Sequence, residues 1–392
     1  MSIFTSRPVT RWLAPVAVAA AVFGVGAGVN ALTASAAPSL PSRSAAQLLV
    51  DLQTARLDGM SGTVVQKADL GLPALPIGGS GSSDLTSLIS GSHTLRVWYA
   101  GPDHARIALL GTLGESDIIT NGTDLWLWDS RANTATHRTI SAGEHAGKTG
   151  RGPLDPNSLP KTPQEAADLA LAAISPSTVV TTGSAARVAG RNAYELILAP
   201  RDTASLVAQV RLAIDAEQHI PLRVQVFARN ADAPAFEVRF TSISFKRPDA
   251  AQFKFTPPPG AKVTEESGRP EKAPDGDKGT TGTGTDGKAP QFAVVGTGWT
   301  AVLVARMPQS AAPPDRGASA NGKGDRGDAG GFSLLNALPP VSGAWGSGHV
   351  LSSKLFSVLI TDDGRVLVGA VGPQRLQEAA ADPAAALKAT TK

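Results

Sequence analysis

Val210-Arg211-Leu212-Ala213-Ile214, Leu222-Arg223-Val224-Gln225-Val226 and Phe236-Glu237-Val238-Arg239-Phe240-Thr241 follow one another in the chain with short polar turns between them. Large apolar residues fall on every second position, with charged, polar or small residues between. That period of two marks a half-buried strand, because successive side chains of a strand point to opposite faces. The pattern extends outward in both directions. Tyr194, Leu196 and Leu198 alternate with Glu195 and Ile197; Leu95, Val97 and Tyr99 alternate with Arg96 and Trp98; Ile107 and Leu109 follow Arg106. Ile118-Ile119 run into Asn121-Gly122 and on to Leu125–Trp128, which is a hairpin signal. Strands of this kind in succession predict one large antiparallel sheet with an apolar face and a charged, wet face.

Two helices are marked by their caps. Ser44 and Gln47 form a capping box before Ala45, Leu48, Leu49, Leu52 and Ala55, and Gly59 to Gly62 ends that run. Thr162, Pro163 and Glu165 open a second helix with the stripe Ala166, Leu169, Ala170, Ala173 and Ile174, stopped by Ser175-Pro176. Two short helices are little cover for so broad a sheet. The sequence therefore predicts an α+β fold: a strongly curved antiparallel sheet, an incomplete barrel, covered by short helices. Leu95, Val97, Tyr99, Ile107, Leu109, Leu196, Leu198, Val210, Leu212, Ile214, Val224, Val226, Phe236, Val238 and Phe240 would line the covered face. Either they face a ligand cavity or they fill a dry core.

Pro257-Pro258-Pro259-Gly260 closes the sheet region, and Lys262 to Pro290 carries almost no apolar residue. The expected organisation is a half-barrel at 42–263, a disordered linker at 264–290, and a small C-terminal α+β unit at 291–392. A disordered insertion at 309–331 interrupts the last. Within that unit Asp362-Asp363-Gly364 reads as a tight hairpin turn, Phe253-Lys254-Phe255 earlier reads as a strand end, and Gln374 to Leu387 reads as helical apart from Pro383.

Residues 1–36 have the parts of an export signal. Arg7 and Arg11 precede an uncharged run from Trp12 to Val29, and Ala34-Ser35-Ala36 offers a cleavage point. Cleavage after Ala36 releases the chain beyond the membrane; retention would tether it, since about 18 apolar residues is the lower limit for a span. Either way the expected location is extracytoplasmic. With no cysteine the chain has neither disulfides nor thiolate metal ligands, and no residue to carry a lipoprotein anchor. A net charge of +3 over 392 residues is small for a nucleic-acid binder.

Catalytic motifs are poor. Gly282 to Lys288 has phosphate-loop spacing, but Ala289-Pro290 replaces the hydroxyl residue and blocks the helix that should follow. No G-x-S-x-G elbow occurs. His137, Glu144 and His145 come nearest to a metal cluster but lie at a strand end and its loop, where solvated polar residues are ordinary. No metal, cofactor or catalytic residue is expected. Trp98, Trp126 and Trp128 fall on the polar parity of their strands, which implies either a second packed surface or a ligand wall.

The element order, with Ile243-Ser244-Phe245, Phe253-Lys254-Phe255 and Pro257–Gly260 closing the sheet, resembles the periplasmic lipoprotein-carrier (LolA-type) superfamily over Ser42 to Val263. Tyr194–Pro200, Ile214-Asp215 to Leu222-Arg223-Val224, and Pro102-Asp103-His104-Ala105-Arg106 also resemble it. The resemblance implies an apolar cavity that holds acyl chains of a lipid or lipoprotein without chemistry. It also implies a lid contact at Arg106, with Leu169 and Ile174 from the second helix. The alternation itself puts Arg106 opposite Ile107 and Leu109, unless a bulge shifts the register. The C-terminal unit, with Leu355 to Val371 and the last helix, resembles the second domain of RseB/MucB-type regulators. That resemblance implies an alternative, a sensor of lipid-like signals that binds an anti-sigma factor, and so a membrane-protein partner.

Overall fold

Side chains that alternate along a strand can share a core only if neighbouring strands are held in matching register. The computed structural model shows how this is done. It describes residues 40–72, 85–139, 174–266, 292–306 and 338–382, which fall into two units, one ending at Glu266 and the other lying beyond it.

In the first unit, helix α1 (Ala45–Thr54) precedes strands β1 (Met60–Ala68), β2 (Gly91–Tyr99), β3 (His104–Leu110), β4 (Glu115–Asn121), β5 (Asp124–Asp129) and β6 (Thr134–Thr139). Then come β7 (Thr178–Thr182), β8 (Ala186–Val188), β9 (Arg191–Pro200), β10 (Val207–Asp215), β11 (Pro221–Ala228), β12 (Phe236–Ser244) and β13 (Lys262–Glu266). One-turn helices stand at Leu85–Ile89 and Ala250–Phe253. The strands form one curved, open 13-stranded sheet in the order β13-β6-β5-β4-β3-β2-β1-β12-β11-β10-β9-β7, with β8 beside β9. The expected open antiparallel sheet with few helices is the observed one. It consists of two meanders that meet where β1 pairs antiparallel with β12, residues distant in sequence.

Three local departures from the sequence reading have simple causes. Phe253-Lys254-Phe255 is not a strand end: Asp249 accepts from Ala251 N–H and caps a single helical turn that buries Phe253. Residues 264–266, expected to begin the linker, instead continue a strand from Lys262 that pairs parallel with β6, Lys262 opposite Thr134 through Glu266 opposite Arg138. All five β13 side chains are exposed, so no apolar alternation advertised the strand. β1 also escaped the sequence reading, because Ser61, Gly62 and Thr63 dilute its pattern. The export segment, the linker beyond Glu266, the insertion at 309–331 and the second helix up to Ala173 lie outside the described residues.

At the end of β10, Asp215 is buried. Burial alone would raise its pKa, but the Arg191 guanidinium and the N–H groups of Gln218 (2.7 Å) and Glu217 (2.9 Å) outweigh that and lower it. The carboxylate thereby fixes the turn into β11.

The second unit has β14 (Phe292–Val295), β15 (Val302–Arg306), β16 (Pro340–Gly343), β17 (Gly346–Ser352), β18 (Ser357–Thr361), β19 (Arg365–Gly369) and helix α2 (Pro373–Ala381). Its six-stranded sheet runs β14-β15-β19-β18-β17-β16. One face buries Val302, Val304, Leu359 and Leu367 with Leu376, Ala379 and Ala380 of α2. The buried Arg365 guanidinium ties sheet to helix by donating to the carbonyls of Ala380 (2.9 Å) and Trp345 (3.3 Å), and to Asp363 (2.8 Å). Gly364 takes φ 82° at the expected Asp362-Asp363-Gly364 turn.

The β1–β12 seam is tight at Gly62, beside a register shift between Thr63 and Val64. A Cβ there would stand 2.5 Å from the Ser242 carbonyl oxygen and 3.0 Å from the Phe240 ring. Gly62→Ala is therefore expected to destabilise the first unit by roughly 1–3 kcal/mol, the usual cost of overpacking. Denaturant unfolding of wild type and variant checks it.

Candidate functional site

Residues directly opposite one another in a ladder share a face, so the register decides which side chains stand together. Val97 is opposite Ile107, Ile107 opposite Ile118, and Ile118 opposite Leu127. A second row runs Gln66, Val238, Val224, Leu212 and Leu196. A third runs Ala68, Phe236, Val226, Val210 and Leu198. Val64 joins Leu95 and Leu109 on one side to Phe240 on the other, Tyr99 faces Met60, and Ile214 faces Tyr194. Every lining residue named from the sequence therefore stands on one face of the sheet. Most are buried; Tyr99, Ile107, Val226 and Phe236 are half-buried.

The same face extends further than the sequence reading took it. Ile118 and Leu127 belong to it, and the row goes from buried Val97 through half-buried Ile107 and Ile118 to Leu127, which is 40% exposed. Their hairpin was recognised, but Leu127 sits between two tryptophans, and that hid its parity.

The described cover over this face is small. α1 starts with the expected capping box, Gln47 N–H donating to Ser44 Oγ and Ser44 N–H to Gln47 Oε1. The helix buries Ala46, Leu48 and Leu49 and lies against β7 and β9. Arg43, just before it, sits over the Tyr194 ring at 5.7 Å. The turn Leu85–Ile89 lies against β2, with Leu88 packed on the core. Gln66 Nε2 donates to the Leu88 carbonyl at 3.0 Å, and His93 Nε2 contacts the Ser90 carbonyl at 2.9 Å. Of the second helix only Ile174 is described; it is buried, and its carbonyl accepts from Ser177 N–H. Leu169 is outside the described residues.

Arg106 is not with the apolar set. The β2–β3 and β3–β4 registers run without a bulge and put Arg106 on the opposite face. Its Nε donates to Asp117 Oδ1 at 2.8 Å and its Nη2 to Glu115 Oε1 at 3.2 Å, with the guanidinium 5.4 Å from the Trp98 ring. The lid contact implied by resemblance is corrected by the alternation itself: the arginine is held by carboxylates across the sheet from the apolar residues. Burial pushes the pKa of Asp117 up to about 6, helped by Glu115 and opposed by Arg106.

That polar face has its own cover. The segment between β12 and β13 crosses it, with Phe253 edge-on to His104 at 5.6 Å and Phe255 against Trp126 (5.3 Å) and Trp128 (5.7 Å). The tryptophans thus belong to a second packed surface. His137 stacks on Trp126 at 4.2 Å, and its two nitrogens meet Asp124 of β5 (3.0 Å) and Glu265 of β13 (2.7 Å). Desolvation lowers its pKa, but the two carboxylates prevail and raise it. Glu144 and His145 lie outside the described residues. No group of His, Asp and Glu suited to a metal occurs among the described residues, and no helix among them is long and apolar enough to cross a membrane.

The first unit is thus an open curved antiparallel sheet whose apolar face is partly covered by short helical segments. Residues 158–259 match the family model of the MucB/RseB N-terminal domain. Among solved structures, the chain is similar to one in the MucA/MucB complex of Pseudomonas aeruginosa, at 15% identity and a TM-score of 0.42, covering 86% of this chain and 96% of that one. A LolA-superfamily protein from Nitrosomonas europaea is matched at 11% identity and a TM-score of 0.21, over 55% of this chain and 99% of that one. No curated protein matches in sequence.

Two pH effects follow. The folded protein holds a proton on Asp117 that the unfolded chain releases, so this group makes stability fall as pH rises from the ordinary carboxylate value of 3.8 to about 6. Asp117→Asn should flatten that part of a stability profile measured by denaturant melts. The paired, charged form of His137 secures β13 below the unfolded value of 6.5, and that contribution is lost as pH rises through the raised folded pKa. Hydrogen exchange in residues 262–266, corrected for intrinsic pH dependence, should therefore quicken above neutral pH. In Glu265→Gln the change should be smaller.

Proposed function

We propose that the first unit is an extracytoplasmic, non-enzymatic binding module that holds the acyl chain of a lipid or lipoprotein against its apolar face. The observation that carries this is the row Val97, Ile107, Ile118 and Leu127, which leads from the buried core to solvent on one face of an open sheet. A filled core would bury the end of such a row, whereas an acyl chain laid along it gains about 0.8 kcal/mol for each methylene removed from water. The export-type segment at 1–36 supports a module working beyond the membrane, free or tethered by its N-terminus.

A second reading is favoured by the other unit. Its sheet face away from α2 carries Val294, Leu303, Val368 and Val358 in one row and Phe292, Ala305, Val366 and Ile360 in the next. Phe292 is 46%, Val294 54% and Leu303 44% exposed. An apolar sheet face of that kind suits a protein partner. Together with the first unit's likeness to the MucB/RseB N-terminal domain at 158–259, this supports that second reading: a regulator that senses lipid with its first unit and binds an anti-sigma factor through residues 291–392.

The test is uptake of a fluorescent fatty-acid probe and native mass spectrometry of gently purified protein. Wild type should carry or take up acyl chains. Paired Ile118→Glu and Leu127→Glu changes, at half-buried and exposed positions that spare the core, should weaken uptake by about tenfold or more while the melting midpoint stays close to wild type. A bare wild-type chain that takes up no probe would overturn the carrier reading. Capture of an anti-sigma factor that depends on residues 291–392 would then favour the regulator.

A further inference from the structure

Gln66 stands in the middle of the apolar face. Along its row the neighbours are Val238, Val224, Leu212 and Leu196, and its partner on the other side is His93. Its side chain is 0% exposed. Nε2 is used, donating to the carbonyl of Leu88 at 3.0 Å. Oε1 is buried and has no hydrogen-bond partner. The nearest polar side chain on the row cannot serve it, because the His93 nitrogens face Ser87 Oγ (3.5 Å) and the Ser90 carbonyl (2.9 Å).

A buried carbonyl oxygen left unpaired is costly, and folded proteins hold few of them. Were Gln66 there only to fasten the Leu85–Ile89 turn, a single donor would suffice and the acceptor would be a liability. The oxygen is buried among apolar side chains with no carboxylate on its row, surroundings that favour a neutral N–H or O–H donor over a cation. The flanking row gives a way in: Phe236, opposite Ala68, and Val226 beyond it are half-buried on the same face.

Building on the acyl-binding reading, we infer that Gln66 Oε1 is a polar anchor for a hydrogen-bond donor carried within the ligand, an amide N–H or a hydroxyl close to its acyl chain. The module then discriminates between acyl compounds of equal chain length. N-acyl and hydroxyacyl ligands fill the acceptor; simple esters and unsubstituted chains leave it empty.

The experiment compares matched probes on the full-length protein by calorimetry or displacement of a fluorescent fatty acid. N-hexadecanoylglycine methyl ester is set against the corresponding glycolate, in which an ester oxygen replaces the N–H, and methyl 3-hydroxyhexadecanoate against methyl hexadecanoate. Wild type should prefer the donor-bearing member of at least one pair by about tenfold, and the pair that shows it distinguishes amide from hydroxyl. In Gln66→Leu that preference should vanish while the donor-free probes bind at least as well as to wild type. Gln66→Met, which keeps length and flexibility, replaces it if the leucine variant fails to fold by its melting profile. Equal binding of both members of both pairs by wild type overturns the inference and leaves the acyl reading standing. Binding of none of the four overturns both.

Discussion

The pairing of β1 with β12 is the constraint on which the first unit rests. Each meander is built from local hairpins, and neither alone gives its apolar face enough neighbours. Joined at Val64–Phe240 and Gln66–Val238, they present one continuous face. Closing that seam brings together segments separated by most of the unit, an entropic cost that local strand pairing does not carry and that burial of Val64, Phe240 and Val238 offsets. The close approach at Gly62 reflects the same demand, since the bulge beside it lets the two meanders adjust their registers without flipping a face.

With the seam closed, the two faces take different work. The apolar face receives α1 and the turn Leu85–Ile89, neither of which covers the Ile118–Leu127 end. The polar face is closed by aromatic residues of the β12–β13 segment, with Arg247 donating to the carbonyls of Asp58 (3.1 Å) and Ala100 (3.0 Å) to hold that segment down. This division explains why buried charge is concentrated on one side. Arg106 and Asp117 are tolerated beneath Trp98 because they are paired there, whereas a charge on the other face would meet mostly aliphatic and aromatic side chains and no carboxylate or guanidinium of its own row.

Much of this was legible in the sequence, for reasons that residues make plain. Strict alternation in Leu95–Tyr99 or Phe236–Thr241 fixes which side chains share a face once the strands pair, so the membership of the apolar face is legible in the sequence. The same rule places Arg106 correctly, and the family resemblance misplaced it. What alternation cannot convey is which strands become neighbours. Nothing local in Met60–Ala68 specifies Phe236–Ser244 as its partner, and a strand as polar as Lys262–Glu266 is held by backbone bonds and one ion pair that no hydropathy pattern records. Phe253-Lys254-Phe255 misled because Asp249, a helix-capping residue, outweighed two aromatics. Gln66 was missed because a single glutamine after Val64-Val65 reads as an ordinary polar position; only the register reveals that it points among apolar neighbours.

β13 is the last element of the first unit, and its parallel alignment with β6 has a mechanical meaning. The chain leaves it at Glu266 and continues toward the second unit, so tension in the connecting segment is met first at the rung Glu266–Arg138. One residue further in stands Glu265, clasped to His137. Pulled away from the sheet edge, such a strand would open rung by rung, through the Glu265–His137 pair. The edge of the large sheet, and not the β1–β12 seam, is thus the part of this unit that a pull on the chain beyond Glu266 would reach first.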